Sequence, residues 1–84
     1  MFLARVYVIL KPTVNDPQGR TILGGLKSLG FDLVVDVRAG KYLEITVDSL
    51  EQTGAEAAVE EMCRKLLANP VIEGYRYDLE EIAG

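Results

Sequence analysis

The sequence predicts an α+β fold, a ferredoxin-like βαββαβ sandwich whose antiparallel sheet carries two helices on one face. Residues 2–11, 33–38 and 42–48 alternate apolar with other side chains at a period of two, which is typical of strands. A last strand is expected over about 71–79. Two intervening segments repeat apolar residues at helical spacing. The whole chain, residues 1–84, is expected to form one domain.

The first strand predicts a sheet with two different faces. Its purely apolar set is expected to line the core: Ala4, Val6, Val8 and Leu10. The opposite face mixes apolar and charged side chains, namely Tyr7, Ile9, Val34 and Tyr42 beside Arg5, Asp36, Arg38 and Glu44. This face is too apolar for comfortable solvation and too charged for a core, so we expect it to be a subunit contact.

The first helix has clear start and stop signals. Asp16 is the expected N-cap, and Pro17 suits the first helical position, where no N–H partner is needed. Gly30 is expected to end the helix in the left-handed conformation. Gly24 and Gly25 lie mid-helix, where each costs roughly 1 kcal/mol relative to alanine, so we expect another backbone to approach them closely. The apolar face is Ile22, Leu23, Leu26 and Leu29.

The middle of the chain predicts a β-hairpin. The apolar positions of 33–38 and 42–48 match when Val37 pairs with Leu43 and Val35 pairs with Ile45. The loop is then residues 39–41, which contain a glycine.

The second helix is expected to open with a capping box, in which Thr53 and Glu56 satisfy free backbone N–H groups. Asn69 and Pro70 should end it, because proline restricts the residue before it. Gly74 marks an expected bulge in the last strand. The apolar stripe of the helix is Ala55, Ala58, Val59, Met62, Cys63 and Leu66.

Composition narrows the range of functions. The net charge of −4, with both signs interleaved, disfavours binding to nucleic acid or an anionic membrane. No apolar run approaches the ~20 residues of a membrane span. A domain this small buries only about 60–65% of its unfolded surface, and one cysteine with no histidine builds neither a disulfide nor a zinc site. Association is therefore expected to supply the missing stability. The expected location of the protein is the cytoplasm.

The residues offer no catalytic set. Cys63 lies on the apolar helical stripe, and the chain has no histidine to activate it, so we expect a buried core thiol. The carboxylates have the spacing of solvated charges, and neither glycine-rich phosphate motif occurs. Arg38 and Lys41 at the expected hairpin tip either hold an anion or are simply solvated.

Several short blocks occur in a specific order and spacing across nearly the whole chain. Together they resemble the small S-subunit (PurS) family of phosphoribosylformylglycinamidine synthase, although Thr13 stands where the family often has glycine. The blocks are Leu10-Lys11-Pro12, Asp16-Pro17-Gln18-Gly19, Leu29-Gly30-Phe31, Asp36-Val37-Arg38, Gly40-Lys41-Tyr42 and Leu67-Ala68-Asn69-Pro70-Val71-Ile72-Glu73.

This resemblance implies a non-catalytic accessory subunit of a ligase in de novo purine biosynthesis. In that family a large synthetase subunit uses ATP and magnesium, and a glutaminase subunit releases ammonia. The S subunit joins the two and assists ammonia transfer, with no cofactor or active site of its own. Family members form homodimers or homotetramers, and some share strands between subunits.

The resemblance and the local sequence favour different roles for three tracts. In one interpretation they form docking surface for the partner subunits; in the other they are a helix cap, a turn and a helix stop needed for folding alone. The residues concerned are Asp16, Pro17, Gln18, Gly19, Arg38, Gly40, Lys41, Tyr42, Asn69, Pro70, Val71, Ile72 and Glu73.

Two other classes share the predicted architecture. An ACT-type regulatory domain binds amino acids at a dimer interface, but it needs a glycine-containing loop after the first strand, which residues 12–16 lack. A stand-alone acyl-phosphate hydrolase needs a glycine-rich loop with an arginine at the same place. Residues 11–15 instead read Lys-Pro-Thr-Val-Asn.

Overall fold

The fold is α+β, with a three-stranded antiparallel sheet and two helices. A computed structural model describes residues 1–83. The strand order in the sheet is β2-β1-β3, so the N-terminal strand is central. The elements in chain order are β1 (Phe2–Leu10), α1 (Pro17–Ser28), β2 (Gly40–Val47), α2 (Gln52–Met62), a π-helical turn (Cys63–Leu67) and β3 (Glu73–Glu81).

The core lies between α2 and the inner face of the sheet. Val6 and Val8 of β1 are almost fully buried, as the alternation in residues 2–11 predicted. Val59 and Cys63 pack against them and are also fully buried. Half-buried side chains from the flanking strands complete this layer: Leu43, Ile45, Val47, Tyr75, Tyr77 and Leu79.

The predicted strand at 33–38, and with it the hairpin, is wrong. Residues 34–39 have no regular structure, and β2 pairs with β1 from Ile9↔Gly40 to Phe2↔Val47. The cause is that residues 38 and 39 are hydrogen-bonded to the segment after β1, which holds the start of β2 beside β1. The chain before residue 38 therefore leaves the sheet instead of pairing with β2.

Residues 17–37, which comprise α1 and the segment after it, form an arm that packs little against the sheet. Leu33 and Val35 are 96% and 89% exposed. The radius of gyration is 16.4 Å, whereas a compact chain of this length has one of roughly 12 Å. Only α2 therefore covers the inner face of the sheet, and the expectation of two helices packed there is wrong for the isolated chain.

The ends of α1 follow the predicted capping signals. Asp16 is the N-cap, Pro17 is the first residue, and Gly30 follows the helix with a φ of 95°. The Phe31 N–H donates to the Leu26 carbonyl and the Gly30 N–H donates to the Lys27 carbonyl, which is the Schellman pattern.

The predicted capping box of α2 is wrong. The helix begins at Gln52, which places Thr53 within its first turn, and the N-cap Glu51 makes no side-chain cap bond. Instead, the Ser49 hydroxyl donates to the Glu51 carbonyl and organises the turn before the helix. Local hydrogen bonding of this serine replaces the box.

The apolar stripe of α2 continues only as far as Cys63. A π-helical turn follows, in which the Ala68 N–H donates to the Cys63 carbonyl at 3.0 Å. Because this turn is wider than an α-helical one, it rotates the following residues. Leu66, which was expected to be buried, is consequently 82% exposed, and Ala68 is buried instead.

The last strand lies two residues later than predicted. Asn69 and Pro70 follow the helical segment as expected, and β3 runs in continuous antiparallel register with β1. Gly74 pairs with Ile9 within this register, so the predicted bulge is absent.

Candidate functional site

The three tracts meet at one end of β1, and we call this surface, formed by residues 16–19, 38–42 and 69–73, the tract junction. Asp16 connects the first two tracts. Its Oδ1 accepts from the Gly19 N–H at 2.9 Å and its Oδ2 accepts from the Ala39 N–H at 2.7 Å. Both bonds stabilise the carboxylate, and they lower the pKa of Asp16.

Arg38 holds the same end of the molecule together through backbone carbonyls. Its guanidinium donates to the carbonyl oxygens of Lys11 at 2.9 Å, Val14 at 3.2 Å and Leu10 at 3.3 Å. Because these bonds occupy the guanidinium, Arg38 is unsuited to the anion-binding role considered from the sequence. Lys41 is exposed and makes no ion pair among residues 1–83.

The third tract is tied to the segment after β1 by Lys11. The Lys11 Nζ donates to the Pro70 carbonyl and its backbone N–H donates to the Ile72 carbonyl, both at 2.8 Å. Within the tract, Asn69 Oδ1 accepts from the Val71 N–H and Glu73 Oε1 accepts from the Asn69 N–H. These bonds leave Val71 77% exposed.

A shallow cavity of about 230 Å³ brings all three tracts together. Gln18, Gly40, Lys41 and Glu73 contribute to its lining. Its lining includes backbone groups and side chains with positive and negative charge. Such a surface can bind another protein, but it contains no nucleophile next to a base.

Reactive groups within residues 1–83 are few. Cys63 is buried, and burial raises the pKa of its thiol, which keeps it protonated. Among those residues no group of three or more histidine, cysteine, aspartate or glutamate side chains could hold a metal ion. None of the helices in this part of the chain is both long and apolar enough to cross a membrane.

Sequence reasoning missed a hydrogen-bonded carboxylate between α2 and the sheet. Glu60 accepts from the Tyr75 hydroxyl at 2.7 Å. Bonds from Tyr75 and Tyr77 lower the pKa of Glu60, and the same carboxylate raises the pKa of Tyr75. This pair satisfies half-buried polar groups above the core, and we assign it to stability.

The outer face of the sheet, opposite α2, also differs from its prediction in composition. It lacks Val34, Asp36 and Arg38 and gains residues of β3. Arg5 forms ion pairs with Asp78 and Glu80, which raise its pKa. These partners were not foreseen because the sequence does not show which residues of β3 lie beside Arg5 on this face.

The fold and this surface define a small α+β domain built for contact with other chains. The domain presents the tract junction, the arm and the outer face of the sheet for such contacts, whereas its one reactive thiol is buried.

Comparisons with known proteins agree. The PurS family model, described as phosphoribosylformylglycinamidine (FGAM) synthase, matches residues 3–81. The chain is 48% identical over 82 residues to the PurS subunit of FGAM synthase from Bacillus subtilis, covering 98% of this chain and 96% of that one. The corresponding subunit of Methanocaldococcus jannaschii is 43% identical over 82 residues, with 98% and 99% covered.

Solved structures show the same relationship. The crystal structure of Methanocaldococcus jannaschii PurS superposes with a TM-score of 0.87 at 42% identity, covering 99% of this chain and 100% of that one. A structure of PurLQS from Thermotoga maritima contains a chain with a TM-score of 0.84 at 28% identity, covering 95% and 99%. The chain belongs to the PurS family, and its function is that of an FGAM synthase subunit in purine biosynthesis.

Proposed function

We propose that this chain is a non-catalytic scaffold that joins the ATP-dependent synthetase subunit to the glutaminase subunit and assists the passage of ammonia between them. The observation that carries the proposal is the tract junction, where three separate tracts lie together at one end of β1. Asp16 and Gly19 are buried there, whereas Gln18, Lys41 and Val71 are exposed. The likeness to a chain of the PurLQS structure supports it. ATP and magnesium are then used by the large subunit, and the assembly works in the cytoplasm.

The tract junction is proposed as the docking surface for these partners. Its hydrogen bonds hold backbone in place, while the side chains of Lys41 and Val71 remain exposed. A rigid backbone with free side chains suits recognition, because little conformational freedom is lost on binding.

The chain is also proposed to associate with itself, as a homodimer or homotetramer. The arm supports this proposal because the side chains of Leu33 and Val35 are almost fully exposed in the isolated chain. Residues 33–38 alternate with a period of two, and β2 has a free edge eight residues long. A strand donated by the arm of a second copy would satisfy both, as β-augmentation does elsewhere.

Reconstitution tests the scaffold role. The chain is mixed with the synthetase and glutaminase subunits, and amidine formation is measured with glutamine and, separately, with ammonia. Omitting the chain should abolish most glutamine-dependent activity and leave most ammonia-dependent activity. Equal loss of both activities would contradict a role in joining the subunits and transferring ammonia.

A pair of matched variants tests the tract junction. Val71→Asp places a charge on the junction, and Leu50→Asp places the same charge at a position that is 97% exposed and outside it. We expect only Val71→Asp to weaken binding to the partner subunits, by tenfold or more in a titration. Equal binding by both variants would remove this surface from the interface.

A further inference from the structure

Paired and unpaired charges occupy different ends of the outer face of the sheet. The strand registers define four rows across β2, β1 and β3. The first two rows carry three carboxylates and one arginine, whereas the last two carry one arginine and no carboxylate. In order, the rows are Thr46–Leu3–Glu80, Glu44–Arg5–Asp78, Tyr42–Tyr7–Arg76 and Gly40–Ile9–Gly74.

The charges of the first two rows are satisfied within the chain. Arg5 forms ion pairs with Asp78, at 3.3 Å, and with Glu80. The remaining carboxylate, on Glu44, accepts from the Tyr42 hydroxyl at 2.9 Å. This end of the face therefore has few groups left with which to bind a charged partner.

The arginine of the other end has no counterion. The Arg76 guanidinium lies 4.0 Å from the centre of the Tyr7 ring and makes no ion pair within residues 1–83. The Tyr7 ring in turn lies 5.1 Å from the Tyr42 ring. Arg76 is therefore held over an aromatic surface with its charge uncompensated, in a chain whose net charge is −4.

A shallow cavity of about 330 Å³ lies at this end of the face and adjoins the tract junction. It shares Gly40 and Lys41 with the cavity of about 230 Å³ in the junction. A subunit that binds the tract junction therefore has this end of the outer face within reach. We call four of the lining residues, Tyr7, Ile9, Tyr42 and Arg76, the aromatic corner.

The last row leaves space above the sheet beside the corner. Ile9 is 47% exposed and lies between Gly40 and Gly74. A β-carbon at Gly40 would collide with the Val8 carbonyl oxygen, so the fold requires that glycine. A β-carbon at Gly74 would meet no atom within 4 Å, so the fold does not require this one. Gly74 leaves room beside Ile9 for a side chain from another molecule.

We propose that the aromatic corner receives a segment of the subunit that docks on the tract junction, and that this segment carries a carboxylate next to an apolar side chain. The carboxylate accepts from the Arg76 guanidinium, whose planar fork matches its two oxygens. The apolar side chain packs on Ile9, in the space above Gly74. This inference rests on the proposed docking role of the tract junction.

A protein segment suits the corner better than a nucleic acid or a small anion. Nucleic acids are bound by stripes of cations, and the corner has one arginine. A free phosphate at a shallow, partly aromatic surface would remain hydrated, whereas a docked subunit covers the ion pair and strengthens it. Arginine and tyrosine are enriched at the centres of protein interfaces. Since Arg76 is already held over Tyr7, it loses little freedom on binding.

Charge reversal tests the contact. Arg76→Glu should weaken binding to at least one of the synthetase and glutaminase subunits by about tenfold or more in a titration. Lys65→Glu makes the same change in charge on the helical segment across the sheet and should bind like the parent. Arg76→Gln removes the charge alone, so its binding should be weaker than that of the parent and less sensitive to salt. Each variant is checked for folding by circular dichroism.

Cross-linking tests the chemistry of the partner directly. Arg76→Lys keeps the charge and places a primary amine at the corner. Treatment of the assembled complex with a carbodiimide, which joins an amine to a carboxylate at contact distance, should link residue 76 of this variant to an aspartate or glutamate of the partner. The linked peptides are identified by mass spectrometry, and the partner should be the subunit that binds Arg76→Glu weakly. Lys65 of the same variant should give no such link and serves as the internal control.

The outcomes separate this inference from the proposed function. Parent-like binding of folded Arg76→Glu to both subunits, or no link from residue 76 in an assembled complex, overturns the contact at the corner. If Val71→Asp still weakens binding, docking at the tract junction stands without the corner.

Two other occupants are tested with the same variants. If inorganic phosphate raises the melting temperature of the parent but not that of Arg76→Glu, and both bind the subunits equally, the corner holds a small anion and the inference is overturned. If Arg76→Glu changes the mass of the chain alone in sedimentation velocity, the corner lies between copies, which also overturns it. A parent chain that binds neither subunit overturns both the inference and the proposed function.

Discussion

Replacing Arg38 by alanine distinguishes a folding role of the second tract from a docking role. The guanidinium donates to three backbone carbonyls, on Leu10, Lys11 and Val14, and is half-buried. A hydrogen bond from a charged group contributes about 1.5–3 kcal/mol when buried. Water can replace part of this set, so we expect the whole side chain to contribute about 2 kcal/mol.

That loss is large for a domain of this size. Total stability at about 0.05–0.15 kcal/mol per residue amounts to roughly 4–13 kcal/mol. In a small domain each kcal/mol corresponds to about 4–8 °C in the melting temperature, so Arg38→Ala should melt roughly 10 °C below the parent. The measurement is thermal unfolding by circular dichroism at one fixed protein concentration, because association also changes the melting temperature.

Two variants serve as controls. Arg38→Lys keeps the charge but not the planar fork that reaches several carbonyls, so it should recover only part of the loss. Lys41→Ala removes an exposed ammonium that makes no hydrogen bond within residues 1–83, and the variant should melt within about 1–2 °C of the parent. If Arg38→Ala melts like the parent and fails only in binding the partner subunits, the folding role argued from its carbonyl bonds is refuted.

Three further predictions concern the helix cap, the arm and the helix glycines. Asp16→Asn should lower the melting temperature at neutral pH. Because the folded pKa of Asp16 lies below its ordinary value of 3.8, the difference from the parent should shrink as pH falls below 3.8 and through the folded pKa. A difference in melting temperature that stays constant across an acid series would contradict the argument. Leu33→Asp should leave far-ultraviolet circular dichroism unchanged while shifting sedimentation toward monomer, because Leu33 contacts little in its own chain; an unchanged mass would exclude the arm as an interface. Gly25→Ala, measured by urea unfolding in the Leu33→Asp background, should stabilise α1 by up to about 1 kcal/mol, because a β-carbon at residue 25 meets no atom within 4 Å. In the parent background the same change should weaken assembly if a partner backbone approaches this helix. Destabilisation in the Leu33→Asp background would show that the glycine is needed within the chain.

Most signals that act over a few residues could be interpreted from the sequence, although the capping box expected at Thr53 and Glu56 does not form. The cap at Asp16 and the stop at Gly30 depend on hydrogen bonds to residues three to five positions away, and both are present. The alternation in β1 depends only on the pleat of a single strand, and its inner side chains are buried as expected. The ordered blocks of residues also sufficed to indicate the family.

Signals that need a distant partner could not be interpreted in this way. Residues 33–38 have the pattern of a strand, but a strand forms only where another edge is in reach, and Arg38 and Ala39 are bound elsewhere. The wide turn after Cys63 similarly moved Leu66 out of the stripe. In each case a non-local contact or a change of helical period overrode a correct local pattern.

The sequence by itself therefore determined the elements with local signals, the central apolar strand and the family of the chain. Only the tertiary structure decided the register of β3 against β1, the binding of Arg38 to backbone, and the meeting of the three tracts at one end of β1. The physical reason is range: caps and pleats are satisfied within a few residues, whereas strand partners and side-chain bonds across tens of residues depend on the energy of the whole fold.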